Sequence, residues 1–389
     1  MELILRCVAL VVLWGLSALC GKTQPVLEAL LAQPSSSRLH HMGHLSIEDW
    51  LARWAVGLGS EALLDPLVTL FQAPGTQGVL GYRLSGHCAV IFGPPLCAPE
   101  DQLALRKAFE DYCASQGWVT LDAVITQEWR RELEEEFDDC ASIQFGDEML
   151  FDPVEYAKTS PKGTLRGRLN QATRHDVTIH ECLHPRTKME AELNAVADEW
   201  LASRKGLQIY YLHVDLFAVR DTRRWFFARH NGKIVALLAL DAIRSEHPEG
   251  DMGWLMHYIM AIPSAPPGTT ELLLHTLFKI LSTEGCRHVS AAVTPDHELA
   301  GISGISDRAA RWLTTAYHWI SRLFNLTGRR QFWMKFKPIT RPVFVFTRGR
   351  FSLRKTFALL KCLNIELSSS RNVPPPQAPD HLVHSPTLD

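Results

Sequence analysis

None of the nine cysteines in this 389-residue chain stands at C-x-x-C spacing from another, and their number is odd. That argues against a zinc ribbon and against a disulfide framework, so Cys7, Cys20, Cys88, Cys97, Cys113, Cys140, Cys182, Cys286 and Cys362 are read as reduced thiols of a cytosolic protein. The phosphate loop G-x-x-x-x-G-K-[ST], the dinucleotide turn G-x-G-x-x-G and the nucleophile elbow G-x-S-x-G are also missing. ATP chemistry, hydride transfer and serine hydrolysis thereby lose their usual signatures. Net charge is scarce: a formal −2 leaves no overall field to gather nucleic acid or anionic membrane, and any polyanion must be met by a local patch. Within residues 1–22 the 14-residue run Cys7 to Cys20 (CVALVVLWGLSALC) is apolar but shorter than the ~20 residues a spanning helix needs. An anchor, a first buried helix and a cleaved signal all remain open for it, since Glu2 offsets Arg6 in front and no small-residue cleavage site follows.

What the chain does have is material for a sizeable core, with 46% apolar residues in a length that fits two units or one large α/β unit. Helical spacing in VLEALLA, IEDWLARWAVGL and ALLDPLVTLF, broken by Ser35 to His44, predicts a helical lead-in over residues 23–79. From Gly81 the runs YRL and CAVIF read as strands, Glu100 to Gln116 as a helix and WVTLDAVI as a strand. Glu128 to Asp139 reads as a solvated acidic helix. From Thr187 the same grammar returns, with a helix through MEAELNAVADEWLASR and strands in YLHVDLFAVR, WFFARHN and KIVALLALDAIR. A Pro-rich connection, a helix over Thr269 to Glu284 and the strand HVSAAVT complete it. The prediction is an α/β protein with two mixed sheets, in lobes 80–186 and 187–365, followed by a disordered tail over 366–389. His40, His41 and His44, like His180, Cys182 and His184, lack partners at ligand spacing and are read as surface or packing residues, so no metal site is expected.

One asymmetry stands out near the C-terminus. Between Arg308 and Ile365 there is no Asp or Glu, while Arg308, Arg311, Arg322, Arg329, Arg330, Lys335, Lys337, Arg341, Arg348, Arg350, Arg354, Lys355 and Lys361 contribute 13 positive charges. Trp312, Trp319, Phe332, Trp333, Phe336, Phe344 and Phe346 are interleaved with them. Cations among aromatics suit unpaired nucleotides, the interfacial zone of an anionic bilayer, or simply a basic amphipathic face without a ligand.

Four stretches in order carry a family resemblance. They are GYRLSGHCAVIFGPP before a helix; FGDEMLFDP followed by LRGRLNQATRHDVTIHE; PPGTTELLLHTLFKILSTEGCRHVS; and LTGRRQFWMKFKP. Together they resemble the phosphatidylglycerol lysyltransferase C-terminal domain family over about residues 80–350. The resemblance implies a tandem acetyltransferase-like fold, an aminoacyl-tRNA as co-substrate with no other cofactor, and a membrane lipid acceptor of sterol or phosphatidylglycerol type. It further implies a cytoplasmic enzyme in peripheral contact with membrane. Three departures are visible: Trp254-Leu255-Met256-His257 stands where bacterial relatives carry D-L-M-R, Trp333 where they carry a lysine, and AAVTPDHEL where they carry N-L-G-x-A-P-L.

Moving an amino acid from a ribose ester to another alcohol exchanges one ester for another, so positioning, a base for the attacking hydroxyl and donors for the oxyanion are what the chemistry needs. Glu148 is the first candidate to bind the substrate ammonium or take the proton, followed by Glu271 and His257. Lys335 and Lys337, with Arg329 and Arg330, are candidates for phosphate binding or oxyanion stabilisation, and Arg166 and Arg168 for holding the RNA. The competing readings are an acyl-CoA N-acyltransferase of the same unit fold, whose [RQ]-x-x-G-x-[GA] loop is not evident, and a non-catalytic membrane or RNA-binding module.

Overall fold

The computed structural model describes residues 47–54, 67–203, 223–244, 252–323 and 326–362, together with Gly59, Leu63, Leu216 and Phe217. The N-terminal apolar run, most of the helical lead-in, most of the strand expected over 211–220 and the tail lie outside the described residues.

The chain opens with α1 (Ile47–Trp54), then β1 (Thr69–Phe71), β2 (Gly78–Ser85), β3 (Cys88–Phe92) and β4 (Leu96–Cys97). Next come α2 (Pro99–Ser115), β5 (Val119–Ile125), α3 (Gln127–Glu136), β6 (Cys140–Phe151), α4 (Pro153–Ala157), α5 (Gly163–Arg174) and β7 (Thr178–Cys182). The second half holds α6 (Thr187–Ser203), β8 (Arg223–His230), β9 (Lys233–Arg244), β10 (Met252–Ala261), α7 (Thr269–Thr283) and β11 (Val289–Ser303). It closes with α8 (Asp307–Leu323), α9 (Leu326–Met334), β12 (Ile339–Arg348) and α10 (Leu353–Cys362). Local chemistry sets several of these starts. Pro99 opens α2 where its missing N–H costs nothing, with Glu100 and Asp101 in the positive first turn, and the Thr126 hydroxyl caps α3 by accepting from the Trp129 N–H.

The two expected sheets are in fact one, in the order β1-β2-β3-β5-β12-β6-β11-β10-β9-β8-β7, with β4 on β2. The join explains the difference. In the first lobe β3 runs parallel to β5 through the α2 crossover, and in the second β10 runs parallel to β11 through α7. The last strand of each lobe then crosses over: β12 pairs with β5, β6 pairs with β11, and β6 and β12 pair with each other from Ile339 opposite Leu150 to Arg348 opposite Cys140. Residues 69–71, inside the expected lead-in, are a strand on β2 instead of helix, because Phe71 packs against Phe109 and Tyr112 of α2.

Helices cover both faces. On one side of the second lobe Leu165, Leu169 and Ala172 of α5, Leu273, Leu274, Leu277 and Phe278 of α7, and Trp333 of α9 pack on Met149, Phe151, Leu238 and Met256. On the other, Leu193, Val196, Ala197 and Trp200 of α6 pack on Trp225, Phe227, Leu237 and Tyr258. Burying each large side chain of this kind contributes roughly 1.5–3 kcal/mol. In the first lobe α2 carries a fully buried Arg106, whose guanidinium grips Asp122 at 2.9 and 2.8 Å, Glu110 at 2.9 Å and Thr120 at 3.1 Å. Burial alone raises the Glu110 carboxyl, but the neighbouring Arg106 outweighs that and holds it below the usual range.

Candidate active site

In each lobe the parallel pairing ends beside a left-handed residue, Val124 at φ 58° in β5 and Ala292 at φ 57° in β11. β3 and β5 pair along the whole of β3, from Cys88 opposite Val119 to Phe92 opposite Ala123. β10 and β11 pair at Trp254 opposite Val289 and Leu255 opposite Ser290, and then part. Ala292 adopts a left-handed φ of 57° at the point of departure, a conformation that bends β11 away, while the pairing of β11 with β6 resumes at Val293 opposite Glu148. Gly146 makes that resumption possible, because a Cβ there would lie 2.6 Å from the Thr294 carbonyl oxygen. The second lobe therefore holds a sheet that opens between β10 and β11 and stays closed between β11 and β6.

Register places side chains along this opening. Leu150, Ser290, Leu255, Asp241 and Arg223 lie abreast on five neighbouring strands. One row further along come Glu148 on β6 and His257 on β10, on the face that also carries Trp225 and Tyr258 and opposite to Met149 and Phe151. Glu148 is buried and its Oε1 accepts the Ser290 hydroxyl at 2.7 Å. It also lines a cavity of about 250 Å³ with Thr126, Gln127, Glu128, Arg341 and Val343, where the N-terminus of α3 faces the start of β12. His257 occupies a bulge between Met256 and Tyr258. Its Nδ1 lies 2.7 Å from Asp241 Oδ2, and Asp241 in turn accepts from Arg223 Nε at 2.5 Å and Nη2 at 2.9 Å. Arg223 also donates to the Leu216 carbonyl at 3.0 Å. Burial pushes the Asp241 carboxyl up, but hydrogen bonds from His257 and Arg223 outweigh it and hold it below the usual carboxylate range.

The remaining candidates divide. Glu271, in the first turn of α7, is buried and accepts from Lys335 Nζ at 2.7 Å, and that ammonium also sits 5.0 Å from the Phe332 ring centre. Arg330 donates to Asp147 at 2.7 Å, with Gln144 at 3.0 Å on the other oxygen. Lys335 and Arg330 are thus held by carboxylates on the α7 side of the sheet, across from Glu148 and His257. Arg329 and Lys337, and Arg166 and Arg168 of α5, are exposed. The α5 pair lies beside the start of α7, where Gly268, at φ 89°, leaves room for the Arg168 carbonyl. The K-F-K-P run is explained by its fold: Phe336 is buried against Phe278 and Phe332, Lys337 turns left-handed at φ 54°, and Pro338 precedes β12. Trp333 is a core residue packed on Phe151. His180 stacks on Phe227 and bonds Thr178, as a packing histidine does.

Asp241, Arg223 and Ser290, which hold His257 and Glu148, and Asp147, which holds Arg330, are partners of the candidate residues that the sequence reading passed over. A carboxylate near the end of the otherwise apolar KIVALLALDAIR was the available signal for the first.

Two lobes of β-β-α-β grammar, exchanging their last strands, define a tandem acetyltransferase-like fold. The chain belongs to the phosphatidylglycerol lysyltransferase C-terminal family, whose model matches residues 62–347. It is similar to the solved L-PGS of Bacillus licheniformis, with TM-score 0.65 and 19% identity over 82% of this chain and 95% of that one. It is likewise similar to the C-terminal domain of an Agrobacterium fabrum protein assigned as a lysylphosphatidylglycerol synthetase, with TM-score 0.63 and 18% identity over 84% and 100% of the two chains. A conserved protein of unknown function from Bacteroides thetaiotaomicron follows at TM-score 0.53 and 12% identity, over 79% and 99%. No curated protein matches the sequence. The family is one of transferases, and membership supports a role in lipid aminoacylation. Among the described residues, no helix is long and apolar enough to cross a membrane.

Proposed function

We propose that this protein transfers an amino acid from an aminoacyl-tRNA to the hydroxyl of a membrane lipid, of sterol or phosphatidylglycerol type, while in peripheral contact with the membrane. The observation that carries the tRNA part is the exposed set Arg166, Arg168, Arg329 and Lys337, which stays available to phosphates while Arg330 and Lys335 are held by Asp147 and Glu271. The opening between β10 and β11, flanked by Glu148 and His257, provides a place for the two esters to exchange. Glu148 suits the substrate ammonium: it is buried, oriented by Ser290, and lines the cavity at the start of β12. No energy source is needed beyond the ester already formed on the tRNA.

The test is incubation of the purified protein with mixed charged tRNAs and vesicles containing either sterol or phosphatidylglycerol. Aminoacyl-lipid that disappears with RNase is the expected result, and the vesicle that yields it names the acceptor. A product that requires acyl-CoA, or tRNA binding without any product, overturns the proposal. Charge reversal at Arg329 and Lys337 together should raise KM for tRNA about tenfold or more and flatten its dependence on salt, because each lost phosphate contact lowers the salt slope by roughly one.

A further inference from the structure

We infer that His257 is the general base of this transfer, held in its working tautomer by Asp241 and Arg223 as positioning residues; this rests on the functional reading above. The geometry carries it. The Asp241 carboxylate accepts only, so the ring nitrogen 2.7 Å away, Nδ1, is the donor, and neutral His257 keeps its lone pair on Nε2. Nε2 has no hydrogen-bond partner among the described residues, and the side chain is 32% exposed, at the point where β10 leaves β11. Asp241 cannot rotate away, because the Arg223 guanidinium grips both its oxygens and is itself buried and tied to the Leu216 carbonyl. Base, orienting carboxylate and anchored cation thus form a chain of fixed hydrogen bonds ending at an open nitrogen.

The alternative base is less accessible. Glu148 is 97% removed from solvent and one of its oxygens accepts from Ser290, whereas the His257 side chain is 32% exposed. Imidazole is the better match to a hydroxyl attacking near neutral pH. The groups that face His257 are Asp241 on β9, Arg223 on β8 and Tyr258 beside it on β10. Glu148 and Ser290 stand across the opening, while α6 turns apolar Leu193, Val196, Ala197 and Trp200 to this face.

The step balances. The lipid oxygen bonds to the aminoacyl carbonyl carbon as its proton passes to Nε2. The tetrahedral centre then collapses, the carbon–ribose oxygen bond breaks, and Nε2 returns the proton to that ribose oxygen.

The experiment compares wild type, His257→Gln and Asp241→Asn in single-turnover aminoacyl-lipid formation between pH 5.5 and 9, with thermal melts as a folding control. His257→Gln should slow the step by about 10²–10⁴ without raising KM and abolish the rise of rate with pH, and Asp241→Asn should slow it at least about tenfold. A second readout needs no substrate: acylation of His257 by diethyl pyrocarbonate, followed by peptide mass, should change in Asp241→Asn. Wild-type turnover with an unchanged rate and pH profile in His257→Gln overturns the inference and leaves the function standing. Absence of wild-type product sinks the functional reading, and with it the assignment of His257 as base. Equal diethyl pyrocarbonate reactivity in wild type and Asp241→Asn independently overturns the positioning of His257 by Asp241.

Discussion

Lys335 shows how far a single residue's role depends on where the chain brings its partners. In the sequence it is one cation in an acid-free stretch, and the natural reading is a phosphate ligand. In the fold its ammonium is held by Glu271, 64 residues away in sequence, and capped by Phe332. Both partners are mostly buried, with side chains 22% and 9% exposed. Replacing Lys335 with Met should therefore leave Glu271 as an unpaired, nearly buried carboxylate and destabilise the protein by about 1–3 kcal/mol. A denaturant titration reads this directly; a loss of tRNA affinity with unchanged stability would contradict it. Asp241 offers the matching pH prediction. Its carboxyl is held below its ordinary value in the folded state, so it contributes stability that is complete above the unfolded value of about 3.9 and is lost as pH falls through the lower folded one. The stability difference between wild type and Asp241→Asn should shrink as pH falls below about 4. Both residues make one point about legibility. Their types and positions were visible in the sequence, but ion pairs that span dozens of residues are set by topology, which local patterning does not contain.

Among elements, the helices and the β-branched strands followed from the sequence most directly. α2, α3, α6 and α7 lie within a few residues of their expected spans, because amphipathic spacing and caps are local properties. β10 was missed although it borders the opening: GWLMHYIMA buries residues on both faces and carries a bulge at His257, so it shows neither alternation nor a helical period. β1 was absorbed into a helical run for a related reason, since three residues are too few to show a period. The junction of α5 with α7 supplies a test at this scale. Gly268 has φ 89°, and a Cβ there would stand 2.1 Å from the carbonyl oxygen of Arg168, a backbone atom with no freedom to yield. Gly268→Ala should cost about 2 kcal/mol or more, from left-handed strain and from forcing α5 away from the first turn of α7. Because that movement carries Arg166, Arg168 and Glu271 with it, the variant should lose tRNA affinity as well as several degrees of Tm, whereas a neutral result would show that α5 docks differently.

At the scale of the whole molecule, the exchange of β6 and β12 makes each lobe's sheet incomplete without the other. β12 is hydrogen-bonded on both sides, to β5 of the first lobe and to β6, and Phe344 and Phe346 at its centre pack with Ile125, Trp129 and Leu133. A chain ending at Pro338 would therefore expose one edge of β5 and one of β6 along with the apolar surface beneath α3, and exposed unpaired edges of that length promote association with other chains. The repeat in the sequence suggested two lobes of similar grammar. What the pattern could not carry is that the repeats are interlocked, because strand exchange leaves the order of elements unchanged and alters only who pairs with whom. Two consequences can be measured. Heating or denaturant should unfold the described core in one cooperative transition by both near-UV dichroism and hydrogen exchange, with no window in which one lobe persists. The chain cut between Cys182 and Thr187 should yield fragments that do not fold singly but regain the native spectrum when refolded together. A folded, monomeric first-lobe fragment, or two separated transitions, would show that the lobes are independent. In that case the opening between β10 and β11 would not be braced through β6 by the first lobe, and substitutions such as Phe346→Ala, which should cost about 3–5 kcal/mol of stability, would leave the geometry around Glu148 untouched.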